Sequence, residues 1–323
     1  MKKLFRNLFM VILVIAFLYG LLYFHAAWRS DPAAIKTYES DNPFITGTTL
    51  IAAHRMGGGD EPEETMRALM SCIENETPPD ILELDLHISA DGELILLHDD
   101  TLDRMTDSQF VFGRKGVRPE ELTLAELRRL NAAAGFTDLN GQKPYEHLHG
   151  DDVPSDLRLL TLSEVLDTAE ARGRFLYIIE IKNDGELGKT ALDKLHDELK
   201  RRGLLERTVF GTFKGDITEY CRSTYPDIIT SAGIKDALVF YVSALLGLKG
   251  YEPPCTVLQI FYGKPYFRFG VNLATARVIN YAHAHGMAVQ YWTVNDEEDI
   301  RYLKSVGADA VMTDYVRLAS TAK

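Results

Sequence analysis

The sequence predicts an α/β chain: a closed barrel of eight parallel strands with a small insertion after the second barrel strand, preceded by one N-terminal transmembrane helix. Three observations carry this. Short β-branched runs alternate with helical patterns almost from Thr49 to the C terminus, which argues for a parallel sheet. The number of repeats suits a barrel better than an open sheet. Residues 8–24 form an uncharged apolar run that would reach about 26 Å as a helix, near the hydrocarbon thickness of a bilayer.

Composition narrows the function. With 46% apolar and 25% charged residues among 323, disorder and collagen-like structure are excluded. The net charge of −12, from 35 basic and 47 acidic residues, argues against a nucleic-acid partner and leaves room for divalent cations. Cys72, Cys221 and Cys255 are odd in number and lack a CxxC spacing. They are expected to be buried and reduced.

Taken in order, residues 1–30 hold the apolar run behind Lys2, Lys3 and Arg6, which reads as an uncleaved anchor longer than a signal-peptide core. The positive flank places the N terminus in the cytoplasm and the rest of the chain outside. Residues 31–48 are polar, contain Pro32 and Pro43, and read as a tether. The barrel proper spans 49–323. TLIAA supplies its first strand, and PEETMRALMSCIE a helix, with Pro62 in the first turn, Glu63 and Glu64 on the positive end of the dipole, and Met66, Leu69, Met70 and Ile73 on one face.

ILELDLHI is the second barrel strand. LILLHD follows across Asp91-Gly92, a hairpin signal, so it turns back on ILELDLHI and reduces nine strand candidates to eight. Residues 101–160 lose periodicity around Gly113, Gly116, Gly135, Gly141 and Gly150 and read as an insertion over the barrel mouth. Beyond it come FLYIIEIK, TVFGTF, IIT, TVLQIFY, MAVQYWTV and DAVMTD as strands with helical segments between them. Among these, the apolar stretch from Ala237 to Leu248 is too short to span a bilayer and presents either a broad buried face or a lipid-facing one.

In a parallel barrel, reactive groups gather at the C-terminal ends of strands. The sequence places His54 and Arg55 after TLIAA, Glu83 and Asp85 inside ILELDLH, His98 after LILL, and Glu180 and Lys182 in YIIEIK. Residues i and i+2 share a face, so the two pairs interrupt apolar strands side by side. Charges buried this way need compensation. A divalent cation held by Glu83, Asp85 and Glu180 supplies it; an all-carboxylate set favours Mg²⁺ or Ca²⁺, with Mn²⁺ a further candidate. Arg55 and Lys182 suit a phosphate, and His54 with His98 form an acid/base pair. The reaction class these residues indicate is metal-assisted attack on a phosphodiester.

The motifs AHR with PEET, ELDLHISADGELILLHDDTLDRMTD, YIIEIK, YWTVND and GADAVMTD resemble, in order and over about Leu50 to Tyr315, those of the glycerophosphodiester phosphodiesterase family. The resemblance implies a (β/α)8 TIM barrel that hydrolyses glycerophosphodiesters to sn-glycerol 3-phosphate and an alcohol. It implies His54 and His98 as catalytic residues, Glu83, Asp85 and Glu180 as metal ligands, and Arg55 and Lys182 as phosphate contacts. Glu63 is then a supporting residue, and Trp292 lines the glycerol or head-group side. Two departures alter the first loop: Met56 replaces the glycine after His-Arg, and Glu64 replaces the asparagine of PENT. The anchor and the apolar helix after Lys235 resemble membrane-associated members acting as lysophospholipase D, which points to lysophospholipids as substrates. The alternatives are a sphingomyelinase D-like phosphodiesterase and a non-catalytic, membrane-tethered phospholipid-binding barrel.

Overall fold

Aliphatic runs bounded by turn residues become strands, and the helical patterns between them become helices that cover the sheet. The computed structural model describes residues 2–28, 34–263 and 272–321, with side chains of the first helix described from Phe5 to Leu21. In chain order the elements are α1 (Lys2–Trp28), β1 (Leu50–Ala53), α2 (Met66–Ile73), β2 (Ile81–Ile88), β3 (Leu94–Leu96), α3 (Ser108–Phe112), α4 (Leu124–Leu127) and α5 (Leu162–Glu170). They continue with β4 (Leu176–Ile181), α6 (Gly185–Arg202), β5 (Thr208–Gly211), α7 (Gly215–Thr224), β6 (Ile229–Thr230), α8 (Ile234–Leu246) and β7 (Val257–Phe261). Last come α9 (Ala276–His283), β8 (Ala288–Trp292), α10 (Glu297–Ser305), β9 (Ala310–Thr313) and α11 (Val316–Thr321).

The strands pair in the order β6-β5-β4-β2-β1-β9-β8-β7, all parallel. A parallel bridge between Ser231 and Val257 joins the two ends and closes the ring. β3 lies off this path, antiparallel to β2. That is the expected hairpin, with Gly92 at φ +83, a left-handed conformation open to glycine.

Alternation along each strand sends one set of residues into the barrel and the other toward the helices. Inside are Leu50, Ala52, Ile81, Ile178, Val209, Val257, Ala288, Ala310 and Met312, forming one buried cluster. Outside, Ile51, Val289, Tyr291 and Val311 pack against Val278, Ile279 and Leu303 of the covering helices. α6 illustrates the local logic. Leu192, Leu195 and Leu199 are buried on one face, Lys200 to Arg202 complement the C-terminal dipole, and Gly203 ends the helix at φ +68.

Two local expectations change. α2 begins at Met66, where the Thr65 side chain accepts a hydrogen bond from the amide of Ala68, so Glu63 and Glu64 precede the helix instead of opening it. The insertion packs a small core of its own, in which Leu102, Val117, Leu127, Leu130 and Leu159 surround Ile95 and Leu97. Its chain folds back on itself so closely that a Cβ on Gly135 would lie 1.8 Å from the carbonyl oxygen of Arg104.

The segment before β1 is held to the N-terminal end of the barrel. Asn42 donates from Nδ2 to the carbonyls of Thr256 and Gly286 at 2.7 and 3.0 Å, and the amide of Lys36 donates to Asn280 Oδ1 at 2.8 Å. Phe44 is fully buried in the interior cluster. The three cysteines are free and buried, as their spacing indicated. Among the described residues no helix is long and apolar enough to cross a membrane, so the expected anchor is not established by the fold; residues 22–24 of the apolar run lie outside the described side chains. The helix α1 itself forms, exposes its described apolar side chains, and lies beside α8.

Candidate active site

Four interior rows that begin with aliphatic residues at the N-terminal end of their strands finish with polar residues at the mouth. Leu50 and Ala52 lead to His54, Ile81 to Glu83 and Asp85, Ile178 to Glu180 and Lys182, and Ala310 and Met312 to Asp314. Parallel register sets Asp85 directly opposite Glu180 on the neighbouring strand. Of these, His54, Glu83, Asp85, Glu180 and Lys182 line one cavity of about 460 Å³. Arg55, His98, Asp99, Lys214, Gln259 and Trp292 also line it. Eight of the nine residues singled out in the sequence thus meet at one mouth. The ninth, Glu63, reaches it through Arg55, whose Nη1 donates to it at 3.2 Å.

The two histidines are each held by a carboxylate. His54 Nδ1 lies 2.6 Å from Asp314 Oδ1, and Asp314 Oδ2 accepts from Asn295 Nδ2 at 2.6 Å. His98 Nδ1 lies 2.7 Å from Asp99 Oδ1. Arg104, from the insertion, donates to Asp99 and to Glu63 and so ties the second histidine to the Arg55 cluster. Such contacts fix the ring and leave the other nitrogen for the cavity. Burial works against both carboxylates, but hydrogen bonds from His98 and Arg104 hold Asp99 below the usual carboxylate range, and those from His54 and Asn295 do the same for Asp314. Burial also disfavours a charged His54; the bond to Asp314 and the field of Glu83 outweigh it, and the ring pKa is raised.

The first loop owes its path to backbone strain. Arg55, Met56 and Glu64 all adopt positive φ, at 49°, 61° and 58°, a region that costs non-glycine residues on the order of 1–3 kcal/mol each. Hydrogen bonds hold it there. The Arg55 amide donates to Glu83 Oε2 at 2.6 Å, the Glu64 amide to the Arg55 carbonyl at 3.3 Å, and the Asp85 amide to Glu64 Oε1 at 2.9 Å. The charge that Glu64 adds is therefore buried directly behind Glu83 and Asp85.

Negative charge exceeds its compensation here. Lys182 Nζ stands between Asp85 Oδ1 at 2.8 Å and Glu180 Oε1 at 3.0 Å, and Arg55 Nε is 3.4 Å from Asp85 Oδ2. Both Asp85 oxygens and Glu64 Oε2 are nevertheless buried without a well-aligned hydrogen bond. Burial and the charge of Asp85 push Glu83 up to about 7, and Glu64 is raised well above its ordinary value for the same reasons. Burial, with the charge of Asp85, also raises Glu180 although Lys182 opposes the shift. Among the described residues no group of three or more His, Cys, Asp or Glu side chains is arranged as a preformed metal cage. The oxygen-only donor set of Glu83, Asp85 and Glu180, under-compensated and facing the cavity, still fits a hard divalent cation.

These shifts carry a pH dependence. A folded-state Glu83 near pKa 7, against an ordinary 4.5, binds its proton more tightly than the unfolded chain does, so stability falls as pH rises through that interval. The raised His54 has the same sign, its stabilisation being present at low pH and lost as pH rises through its folded pKa. Asp99 and Asp314 titrate below this window. In the presence of chelator, calorimetry is expected to show Tm falling from pH 5 to pH 8, with a shallower slope in Glu83→Gln. An equal slope in that variant would remove Glu83 as the source.

Arg104, Asp314, Asp99 and Lys214 were not assigned roles from the sequence. Asp314 was within reach, being the i+2 continuation of Ala310 and Met312. Arg104 lies in an aperiodic insertion, which gives no such signal.

A family model described as the glycerophosphoryl diester phosphodiesterase family matches residues 54–318. A glycerophosphodiester phosphodiesterase of Bacillus altitudinis is 25% identical over 270 residues, covering 83% of this chain and 95% of that protein. A lysophospholipase D of Mus musculus is 24% identical over 286 residues, covering 82% of this chain and 79% of that one. The structure of an Oleispira antarctica phosphodiesterase in complex with the product sn-glycerol-3-phosphate superposes with a TM-score of 0.63 at 22% identity, covering 86% and 98% of the two chains. That likeness shows the shared (β/α)8 barrel.

Proposed function

Since the chain belongs to the glycerophosphoryl diester phosphodiesterase family and is an enzyme of that family, we propose that it hydrolyses glycerophosphodiesters to sn-glycerol 3-phosphate and an alcohol with the help of a divalent cation, and lysophospholipids to lysophosphatidic acid. The observation that carries the proposal is the pair of carboxylate-held histidines lining one cavity with Glu83, Asp85, Glu180, Arg55 and Lys182.

The substrate's own glycerol 2-hydroxyl attacks phosphorus. One histidine takes the hydroxyl proton as the P–O bond to the leaving alcohol breaks, and the other gives that alcohol its proton. The products are the alcohol and a cyclic phosphate. In the second step water adds to phosphorus, the ring P–O bond breaks, and the histidines exchange roles to regenerate the 2-hydroxyl. Asp314 and Asp99 hold the rings for transfer at the nitrogen facing the cavity. Arg55 offsets charge on the phosphoryl oxygens. Lys182 serves Asp85 and Glu180 first and phosphate through its position between them. A cation held by Glu83, Asp85 and Glu180 would polarise the phosphoryl oxygen, with Mg²⁺, Ca²⁺ and Mn²⁺ as the ions to compare. Trp292 flanks the glycerol or head-group side.

The apolar run of α1 supports a membrane anchor, and its basic flank supports a cytoplasmic N terminus with the barrel outside. The test uses the full chain and a form lacking residues 1–30, each with glycerophosphocholine or lysophosphatidylcholine, and with each cation or chelator. Phosphorus NMR and mass spectrometry identify the products. Expected are cation-dependent sn-glycerol 3-phosphate from the first substrate and lysophosphatidic acid from the second, with the shortened form active on the soluble diester but no longer sedimenting with membranes. Choline phosphate as the product, or cleavage of sphingomyelin alone, would overturn the assignment of the scissile bond or of the substrate class.

A further inference from the structure

Beside the catalytic cavity lies a second one of about 330 Å³. Phe213, Ala232, Gln259 and Trp292 line both, so the two adjoin across a shared wall. Trp292 packs edge-on to Phe213 and to Phe261 with centroids 5.9 and 5.3 Å apart. Beyond that wall the lining is apolar and comes from Ala237 of α8, Ile260 of β7, Leu273 and the ring of Tyr291. Several of its polar atoms are already engaged. Tyr291 Oη donates to the Leu273 carbonyl at 2.9 Å, Tyr262 Oη to Asp299 at 3.2 Å, and Asn272 Oδ1 accepts from the Ala274 amide at 2.8 Å. A polar ligand would find few partners there.

The outer rim is apolar as well. Ile234 is 74% exposed, Leu238 63%, Phe213 58% and Phe261 50%. Ile234 and Leu238 stand on α8, the helix beside which α1 lies. Contiguous exposed apolar surface of this kind marks an interaction site.

We propose that the second cavity receives the single acyl chain of a lysophospholipid while its phosphate occupies the first, an inference that rests on the lysophospholipid reading above and gives it a site. With the glycerol placed against Trp292, a chain esterified at the 1-position leaves it past Phe213 and Trp292 into the apolar cavity. The free 2-hydroxyl stays at phosphorus and the head group leaves on the opposite side. The cavity of about 330 Å³ is on the scale of a single medium-length alkyl chain. A longer chain continues over Ile234 and Leu238 toward the bilayer.

The experiment measures kcat/KM of the full chain for 1-acyl lysophosphatidylcholines of increasing length, below their micellar concentrations, beside glycerophosphocholine. It also measures quenching of Trp292 by a bromododecyl phosphocholine in a Trp28→Phe background, which leaves Trp292 as the remaining tryptophan of the two. Expected is a rise of up to about fourfold per methylene that levels off near twelve carbons, together with quenching. Ala237→Phe, which fills the cavity, should lower kcat/KM for the lauroyl substrate at least tenfold, abolish quenching and leave glycerophosphocholine turnover within twofold. Ile234→Lys, at an exposed position that does not threaten folding, should weaken turnover of the longer chains selectively. Lysolipid turnover with a flat length profile and no quenching overturns the acyl site while the lysophospholipid reading stands. Quenching that Ala237→Phe abolishes, without lysolipid turnover, supports the site and overturns that reading.

Discussion

Replacing His98 by alanine is expected to lower kcat on glycerophosphocholine by about 10²–10⁴-fold, the usual worth of a positioned proton-transfer group, while changing folding stability by less than about 1 kcal/mol. The small structural effect follows from where the ring sits. His98 is half-buried at the mouth, and its hydrogen bond runs to Asp99, which keeps two bonds from Arg104 when the ring is gone. Nothing in the barrel core leans on it. The large catalytic effect follows from the division of labour, since one histidine cannot both accept the proton of the attacking hydroxyl and deliver one to the departing alcohol in the same step. His54→Ala should give a loss of the same order. Steady-state rates, with circular dichroism and Tm as the folding control, decide the matter. A His98→Ala enzyme with full activity would mean that the leaving alcohol takes its proton from water or another group, and the paired roles would fall.

What the sequence disclosed and what it concealed divide along physical lines. The barrel was legible because strand and helix periods differ, and the extra strand was recognisable because Asp91-Gly92 is turn chemistry that acts locally. The interior carboxylates were legible because Glu83, Asp85 and Glu180 break aliphatic rows whose parity is fixed. The start of α2 was misjudged, because Pro62, Glu63 and Glu64 satisfy every local preference of a first turn. A tertiary interaction wins there: Glu64 takes a left-handed conformation and caps the amide of Asp85. Lys182 was read as a phosphate ligand from its charge, yet in the barrel its nearest partners are Asp85 and Glu180. Spacing along one strand cannot reveal that Asp85 stands in register with Glu180. Arg104 was out of reach altogether, since its place over Glu63 and Asp99 depends on how the insertion folds back. The close passage at Gly135 is part of that folding.

Asp85→Asn is expected to cost about 10²-fold or more in kcat and to remove most of the response to divalent cations, several kcal/mol being typical for a cation that polarises a phosphoryl oxygen. Asp85 is the central acceptor of the cluster. It faces Lys182 and Arg55 at once, is almost completely buried, and stands opposite Glu180. Amide substitution keeps its shape and removes its charge, so any loss reports electrostatics and not packing. In the wild type, cation binding should raise Tm, because it relieves the mutual repulsion that burial imposes on Glu83, Asp85 and Glu180. In Asp85→Asn that rise should shrink, while Tm in chelator reflects two effects of opposite sign. Repulsion on Glu83 falls, which stabilises, while Lys182 and Arg55 each lose a buried counter-charge, which destabilises. The cation response separates them, since it depends on the carboxylates and not on the baseline. A variant that keeps the full cation-induced rise in Tm but loses turnover would assign Asp85 to holding Arg55 and Lys182 in place. The cation would then rest on Glu83 and Glu180 without it.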